Sequence, residues 1–572
     1  MAQRSEAASV AVVGAGPIGL TAALCLARLG VRSVVLEALS ATSAEGSRSI
    51  CVQKDVLETF ERLGLGQTMA AEGVSWTLGR TYYRTTELFQ LRFPELGRDA
   101  FPPFVNLPQY RVEALLLAAA HANPLVDVRI GHRVSDLEQD REGVTLTVDG
   151  PSGDERRRVK YVIGCDGARS TVRHVLGVEF PGHSYDDRFL ICDVRVKLPF
   201  PRERRLFFDP PFNPGRQVLV HPQPDDVWRI DWQIPPEVDV EAERASGALD
   251  GRIRALVGRR PYELVWLSTY RFHQRAAARF RVGRVFLAGD AAHLMSPFGA
   301  RGMNSGVADA ENLAWKLWLV LTGRAPAALL DTYEAERRAA ALENLRVTDR
   351  TMRFMVPAGS WQRLRRRAIL RGSVRLAALR RRVDAGKLST PFVYDASPIV
   401  LGDPEATAAD PLRPGAIAPD APCRLLRPFP DHLGGQVTRV RQLFGGGFVG
   451  LYLPAAPPEG PDDARGLAER ALARRPRAPA RLYVVLRAGS PTPDLPSGIG
   501  VVADDEGVLA GTYGSRPGTL WLVRPDGHIA ARQRPAGVDL ADLVEHAAGS
   551  RLAGAERPAA AAGAEPADVA AS

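Results

Sequence analysis

Lysine is nearly absent from this chain of 572 residues, with Lys54, Lys160, Lys197, Lys316 and Lys387 the only five. The formal charge of +9 is therefore an arginine excess, 74 Lys and Arg against 65 Asp and Glu, spread thinly along the chain, and it predicts no nucleic-acid partner. Cysteine is also scarce. Cys25, Cys51, Cys165, Cys192 and Cys423 form no CxxC pair, which excludes a disulfide framework and predicts free thiols in a reducing cytoplasm. Long uncharged runs are missing apart from residues 7–27. That run is interrupted by Gly14, Gly16, Pro17 and Gly19, so it predicts a buried strand and helix in a soluble protein without stable membrane association. No grouping of His, Cys and acidic residues has metal-ligand spacing, and no metal is expected. What is present, 45% hydrophobic and 24% charged residues, is ordinary globular usage and excludes a wholly disordered or fibrous chain. At about 150 residues per domain, the length alone suggests about three or four domains.

Val10-Ala-Val-Val13 is an apolar run followed by Gly14-Ala-Gly16-Pro17-Ile-Gly19, an apolar helical pattern to Leu29, and a second run from Ser33 to Leu36 that ends in Glu37. This is the order of a dinucleotide-binding unit. Gly14 permits the tight turn, Gly16 lets the backbone approach a pyrophosphate, and Gly19 allows close helix packing. Glu37 can accept hydrogen bonds from ribose hydroxyls and argues against a 2′-phosphate there. The motif alone does not choose between NAD and FAD.

Two later segments repeat a strand that ends in Asp beside Gly. Tyr161-Val-Ile-Gly164 leads into Cys165-Asp166-Gly-Ala-Arg169-Ser170-Thr-Val-Arg173. Arg284-Val-Phe-Leu-Ala288 leads into Gly289-Asp290-Ala-Ala-His293, then Ser296-Pro297-Phe-Gly-Ala-Arg-Gly302-Met-Asn304-Ser-Gly306. A carboxylate at a strand end before a helix N-terminus is well placed to hold a ribityl hydroxyl.

Together these three motifs resemble the single-component FAD-dependent aromatic hydroxylases of the para-hydroxybenzoate hydroxylase fold. Tyr82-Tyr83, Pro103-Phe-Val-Asn106, Phe207-Phe-Asp-Pro-Pro211 and Trp228-Arg-Ile-Asp231 resemble, more narrowly, the 3-(3-hydroxyphenyl)propionate hydroxylase and phenol hydroxylase subgroup. The resemblance implies an α/β fold in which a Rossmann-type FAD-binding domain is interleaved with a β-sheet substrate domain, plus a C-terminal thioredoxin-like domain. It implies FAD as cofactor, NADH or NADPH as co-substrate, and O2, with ring hydroxylation through a flavin C4a-hydroperoxide. The substrate class is a phenol, such as a hydroxyphenyl-propionate-like acid. Gly14, Gly16, Pro17, Gly19 and Glu37 would hold the ADP half, Arg48 the pyrophosphate, Gln109 with Gly289 and Asp290 the ribityl chain, and Pro297, Gly302, Met303 and Asn304 the flavin ring. Asp166 would serve FAD and the nicotinamide cofactor, or equally cap a helix through Ser170 and Arg173. His293 reads as a capping or packing residue. The chain departs from the common pattern at Ser296-Pro297 and at Ala300-Arg301, and Arg301 is read as solvent-facing in preference to an anion contact for the flavin.

Between the second and third motifs lie short strands, among them 227–234, where Trp228, Ile230, Trp232 and Ile234 alternate with Arg229, Asp231 and Gln233. A phenol has a pKa near about 10 and needs help to lose its proton. His221 as proton relay and Arg229 as electrostatic partner are the catalytic candidates. The bland alternatives are a solvated loop for His221 and a structural pairing of Arg229 near Asp231.

Helical patterns cover 305–320 and 326–350, and the arginine-rich stretch 363–382 reads as an amphipathic helix packed on the catalytic unit. Residues 391–414 read as a linker. The expected division is 1–395 as the monooxygenase unit (FAD part about 1–80, 104–188 and 277–345; substrate sheet about 81–103 and 189–276; helical extension 346–395), 396–548 as a thioredoxin-like domain, and 549–572 as a disordered tail. Cys423 outside any CxxC gives that second domain no redox role; structural support or homodimer contacts fit it better. Two rival functions are a polyketide-tailoring hydroxylase or epoxidase of the same fold and a flavin-binding protein without turnover. Against the last stands the full set of ring-side residues in 297–304.

Overall fold

Four consecutive apolar residues make a stable strand when both faces are covered, and Val10–Val13 is buried throughout. In the computed structural model, which describes residues 8–40, 49–93, 100–296, 298–357, 359–383, 390–403, 410, 412–429, 437–454, 462–490, 494–514, 518–533 and 539–554, it pairs in parallel with Ser33–Glu37 and with Tyr161–Gly164. Parallel neighbours Val126–Ile130 and Val285–Leu287 extend the sheet, and antiparallel Arg281–Val282 closes one edge. Helix Pro17–Arg28 covers one face and packs on the long helix Gly302–Leu321.

A second sheet has eight strands, in the order His293–Leu294, Glu263–Ala276, Gly182–Arg195, Val227–Ile234, Gln217–Pro222, Arg204–Phe208, Leu78–Tyr83 and Thr86–Arg92. The chain enters it at 78–92, returns to the first sheet at 126–164, and comes back for 182–276, so the two sheets alternate along the sequence. The alternation in Val227–Ile234 sorts its faces. Trp228, Ile230 and Trp232 join Leu190, Cys192 and Val218 in a core closed by Leu249, Ile253 and Val257 of helix Ala248–Val257. The intervening residues look the other way.

Helix Asp331–Met355 follows, then helix Ser360–Ser373, which buries Arg366, Leu370 and Ser373 and exposes Trp361 and Leu364. The arginine-rich stretch is thus not one helix: its first part, to Ser373, packs by one stripe, with Arg366 donating to the carbonyl of Gly215 at 2.8 Å, and a separate short helix, Ala377–Arg380, follows with no buried residue. Residues 390–403 differ from the linker expectation. They lack regular secondary structure yet bury Tyr394 and Ile399, because Tyr394 Oη accepts from Arg337 at 2.6 Å. The C-terminal part is a mixed six-stranded sheet, ordered Arg424–Arg427, Gly500–Asp504, Ala480–Arg487, Phe448–Leu453, Thr519–Val523 and Ile529–Gln533. Its turn at 524–527 reaches back to helices Gly302–Leu321 and Asp331–Met355, where Asp526 accepts from Trp315 Nε1 at 3.1 Å and Arg524 donates to Glu336 at 2.6 and 3.0 Å. The whole is a mixed α/β fold. Among the described residues no helix is long and apolar enough to cross a membrane, and residues 555–572 of the expected tail lie outside them.

Candidate active site

The glycine turn is shaped by contact. Gly14 has a φ of +103°, and a Cβ there would lie 2.6 Å from the Cys165 carbonyl oxygen. Gly19 is packed as closely, its Cβ position being 1.9 Å from the Gly14 carbonyl oxygen. Gly16 is the opposite case: a Cβ would meet nothing within 4 Å, so the turn is open just where helix Pro17–Arg28 begins. Pro17, in the first helical turn, gives up an N–H that has no helical partner anyway. The remaining free N–H groups and the helix dipole suit a pyrophosphate, and the open space at Gly16 admits one. Beside the turn, Glu37 accepts the Ala15 N–H at 2.7 Å and the Leu39 N–H at 2.9 Å.

Gly16 and Pro17 form one end of a cavity of about 340 Å3. Gln109 lines it, held between the Ser49 N–H at 3.1 Å and Glu113 at 2.8 Å. Asp290 also lines it, directly after Gly289, whose N–H is fixed by Asp309 at 3.0 Å. Gly302 and Met303 bring the N-terminus of helix Gly302–Leu321 to the wall, and Gly302 again has no atom near a Cβ position. Asn304 stands one step back. Its amide nitrogen donates to the Cys51 carbonyl at 2.9 Å and its oxygen accepts the Gln53 N–H at 3.0 Å, which ties this helix to the strand Cys51–Gln53. Asp166 accepts the Val172 N–H at 3.0 Å at the start of helix Thr171–Val175, alongside the Ser170 cap, and burial raises its carboxyl pKa against those hydrogen bonds. Its neighbours Cys165 and Gly167 line the cavity. His293 is buried against Asp309 at 2.8 Å, a packing role. Arg48 and Pro297 lie outside the described residues. Arg301 requires a correction: it is 5% exposed, bonded to Asn344 and part of the cavity wall, because the loop folds inward instead of toward solvent.

The other end of the cavity is the free face of the eight-stranded sheet. His221 lies opposite Arg229 in register, and Asp193 lies opposite Arg229 on the far side, so a polar row crosses three strands. Arg229 is buried and grips Asp193 through Nε at 2.8 Å and a second nitrogen, Nη2, at 2.7 Å, with Trp266 stacked 5.3 Å away. Its structural partner is therefore Asp193, not the neighbourhood of Asp231. His221 sits in a strand, not a loop. Burial first, then Arg204 and Arg229, push its pKa well below the ordinary 6.5, so the ring is neutral near pH 7. Arg204 enters the wall from the next strand, and although burial lowers its pKa to about 10 it stays cationic. Asp231 is pushed up to about 7 by burial, with Arg229 opposing and Asp193 adding to the rise. The apolar wall is aromatic: Phe189 stacks on Phe272 at 4.3 Å, with Phe298 edge-on to both. Arg204, Asp193, Phe189 and Phe298 were not singled out by sequence reasoning; the signal available was strand alternation, which puts Phe189, Ile191 and Asp193 on one face. Among the described residues no cluster of His, Cys, Asp or Glu could hold a metal ion.

An open dinucleotide turn and an aromatic, arginine-bearing sheet that share one cavity define a flavoprotein of the aromatic hydroxylase class. The chain belongs to the FAD-binding family, whose FAD binding domain matches residues 7–348. A relative from Mycobacterium sp. (strain JLS), a 3-(3-hydroxy-phenyl)propionate/3-hydroxycinnamic acid hydroxylase, is 31% identical over 533 residues, which is 91% of this chain and 88% of the relative. A Streptomyces rimosus protein, 12-dehydrotetracycline 5-monooxygenase/anhydrotetracycline 6-monooxygenase, is 36% identical over 348 residues, 59% of this chain and 68% of its own. In fold, the chain is similar to the crystal structure of the flavin-dependent monooxygenase PieE in complex with FAD and substrate, with TM-score 0.77, 24% identity and coverage of 96% of this chain and 99% of that one. FAD is the cofactor, and the protein is an FAD-dependent monooxygenase.

Proposed function

We propose that this enzyme hydroxylates the ring of a small phenol, a hydroxyphenyl-propionate-like acid being the first choice, with NADH or NADPH and O2 as co-substrates. One observation carries this reading: the open cradle at Gly16 and the sheet face bearing His221, Arg229 and Arg204 are two ends of the same cavity. FAD, when bound, supplies the redox chemistry and the activation of dioxygen. The chain's own residues bind, orient and exclude water. In this reading Gly14, Gly16, Pro17, Gly19 and Glu37 hold the ADP half, Arg48 the pyrophosphate, Gln109, Gly289 and Asp290 the ribityl chain, and Pro297, Gly302, Met303 and Asn304 the ring. Asp166 acts by fixing the helix beside the cofactor. Arg204 offers a cation to a substrate carboxylate or phenolate, and Phe189, Phe272 and Phe298 hold the ring flat. Neutral His221 carries a proton, and Arg229 keeps the polar row rigid through Asp193.

The division at about 395, a thioredoxin-like reading of the C-terminal sheet, homodimer formation and a cytoplasmic location belong to the same proposal. Five free cysteines support the last. A second reading, tailoring of a larger polycyclic natural product, is favoured by the 36% identity to the tetracycline-pathway relative. The deciding experiment follows NADH and NADPH oxidation by the purified yellow protein with a panel of phenols, phenolic acids and polycyclic phenols, measuring hydroxylated product and peroxide. Product from small phenolic acids supports the first reading; product from polycyclic substrates alone supports the second. Substrate-stimulated oxidation that yields only peroxide defeats both.

A further inference from the structure

The polar side chains of Val227–Ile234 that face away from the core have unequal surroundings. Arg229 is gripped by Asp193, and Gln233 donates to Asp187 at 2.5 Å. Asp231 has no such partner. Opposite it in register stand Ile191 on one neighbouring strand and Leu219 on the other, side chains with nothing to donate. Its Oδ1 is enclosed and meets no hydrogen-bond donor among the described residues, while the residue lines the cavity. Asp193, the other carboxylate on this face, accepts from Arg229 twice and from Gln223 at 2.9 Å. The fold thus satisfies one carboxylate completely and leaves the next one bare, with the apolar Ile191 and Leu219 as its cross-strand neighbours. Burying an acceptor without a donor costs stability, and neither neighbour in the sheet is served by it.

We infer that Asp231 is the residue that receives the substrate's phenolic O–H, as hydrogen-bond acceptor and then as proton acceptor. This rests on the proposal that the substrate is a phenol. In the step, the phenolic O–H bond breaks and an O–H bond forms on Asp231, and the electron pair left on oxygen enriches the ring where oxygen is to be inserted. The new oxygen and the electrons come from O2 and the reduced nicotinamide of the monooxygenase reaction. When the ring carbon that gained oxygen releases its hydrogen to solvent as a proton, Asp231 returns its proton to the ring oxygen and is again a carboxylate. The groups around it favour this exchange. Arg229 on its own strand is balanced by Asp193; Cys192 and His221 are uncharged; Arg204, two strands away, lines the cavity and stays cationic. Burial brings the carboxyl to about 7, far closer to a phenol's about 10 than an ordinary Asp.

The test uses the FAD-loaded full chain and Asp231→Asn, which keeps shape and removes the acceptor charge. Retained flavin and a single cooperative unfolding transition, no less stable than that of the wild type, certify the fold. Substrates form a series from phenols that are un-ionised at the assay pH to 4-nitrophenol and polyfluorinated phenols that are largely ionised. Two signals are read: perturbation of flavin absorbance on binding to the oxidised enzyme without reductant, and product formation as a function of pH. Asp231→Asn is expected to slow hydroxylation of un-ionised phenols by about 100-fold or more, to spare pre-ionised ones, and to abolish a rate inflection near 7. An equal loss across the series, or an inflection that survives, overturns the assignment. If the wild type converts no phenol, the phenol-hydroxylase reading fails. Binding then judges Asp231 by itself: weaker binding of un-ionised phenols by the variant supports it, and unchanged binding overturns it.

Discussion

The backbone N–H of Gly289 donates to the carboxylate of Asp309 at 3.0 Å, which joins the strand end before Asp290 to the middle of helix Gly302–Leu321. Asp309 also accepts from His293 at 2.8 Å and from Arg337 at 2.6 Å, and Arg337 continues to Tyr394. One buried carboxylate therefore sets the spacing between two cavity-lining features, Asp290 and the helix start at Gly302.

Replacing Asp309 by Ala should leave the Arg337 guanidinium buried without its counter-charge, at a cost of about 3–5 kcal/mol, and should lower flavin content. Burial alone would raise the Asp309 carboxyl, but Arg337 and His293 outweigh it and hold the pKa below the ordinary value. A depressed carboxylate contributes its stability above the unfolded-state pKa, about 3.9, and loses it as pH falls through the folded value. The variant should therefore be much less stable than the wild type at neutral pH, with the gap closing only in strong acid. Thermal unfolding against pH, with flavin absorbance recorded beside it, checks this; a pH-independent gap would refute it.

Gly14 and Gly16 lie two positions apart and should respond differently to the same added methyl. Gly14→Ala puts a Cβ 2.6 Å from the Cys165 carbonyl oxygen at a φ of +103°, so the apoprotein itself should be destabilised, by about 1–3 kcal/mol from the backbone conformation alone. Gly16→Ala meets no protein atom within 4 Å. Its apoprotein should unfold as the wild type does, while FAD affinity falls because the methyl occupies the phosphate's approach. Unfolding of flavin-stripped protein and FAD titration separate the two effects, and normal FAD affinity in Gly16→Ala would show that the pyrophosphate lies elsewhere.

How much of this was legible in the sequence depends on the range of the interaction. The turn at Gly14, Gly16 and Gly19 is local, with strand, glycines and helix contiguous, and its geometry follows from residue types. The faces of Val227–Ile234 were legible for the same reason, because alternation is a property of one strand. Asp193 gripping Arg229 was not, since it needs the antiparallel register between strands separated by 36 residues. The lack of a donor to Asp231 Oδ1 depends on the same register, which puts Ile191 and Leu219 beside it. Arg301 was misread because its loop's inward path is fixed by Asn344, on a helix whose docking no local pattern reveals. The burial of 390–403 also follows from a distant partner, Arg337.

The cysteines should be chemically quiet. Burial pushes the thiols of Cys25, Cys51 and Cys423 up to about 12, and Cys165 is raised well above its usual value by burial and by Asp166 and Asp309. Thiolate is the reactive form, so a disulfide reagent at mildly alkaline pH should label almost none of the five in the folded holoenzyme and all five after denaturation. Rapid labelling of Cys51 in the native state would mean that the cavity opens far more than its walls indicate.

His221 and Asp231 share the sheet face, and burial favours the neutral form of each, with opposite consequences for stability against pH. His221 has a folded pKa well below its unfolded 6.5, so the unfolded chain takes the proton more readily and stability declines as pH falls below about 6.5. Asp231 is raised from 3.8 to about 7, so the folded state holds its proton more tightly and stability declines as pH rises across that window. At about 1.4 kcal/mol per pKa unit, the full effect at Asp231 is on the order of 4 kcal/mol, less whatever water in the cavity restores. Asp231→Asn should accordingly be more stable than the wild type at pH above about 7, with the advantage vanishing toward pH about 4, while His221→Gln should gain only on the acid side. Denaturant unfolding of both variants across the pH range decides the matter. A wild-type and an Asp231→Asn curve that run parallel would mean that the carboxyl is solvated and ionises normally. The expected divergence would mean that the folded protein tolerates a costly carboxylate at the cavity wall, as a site kept for binding would require.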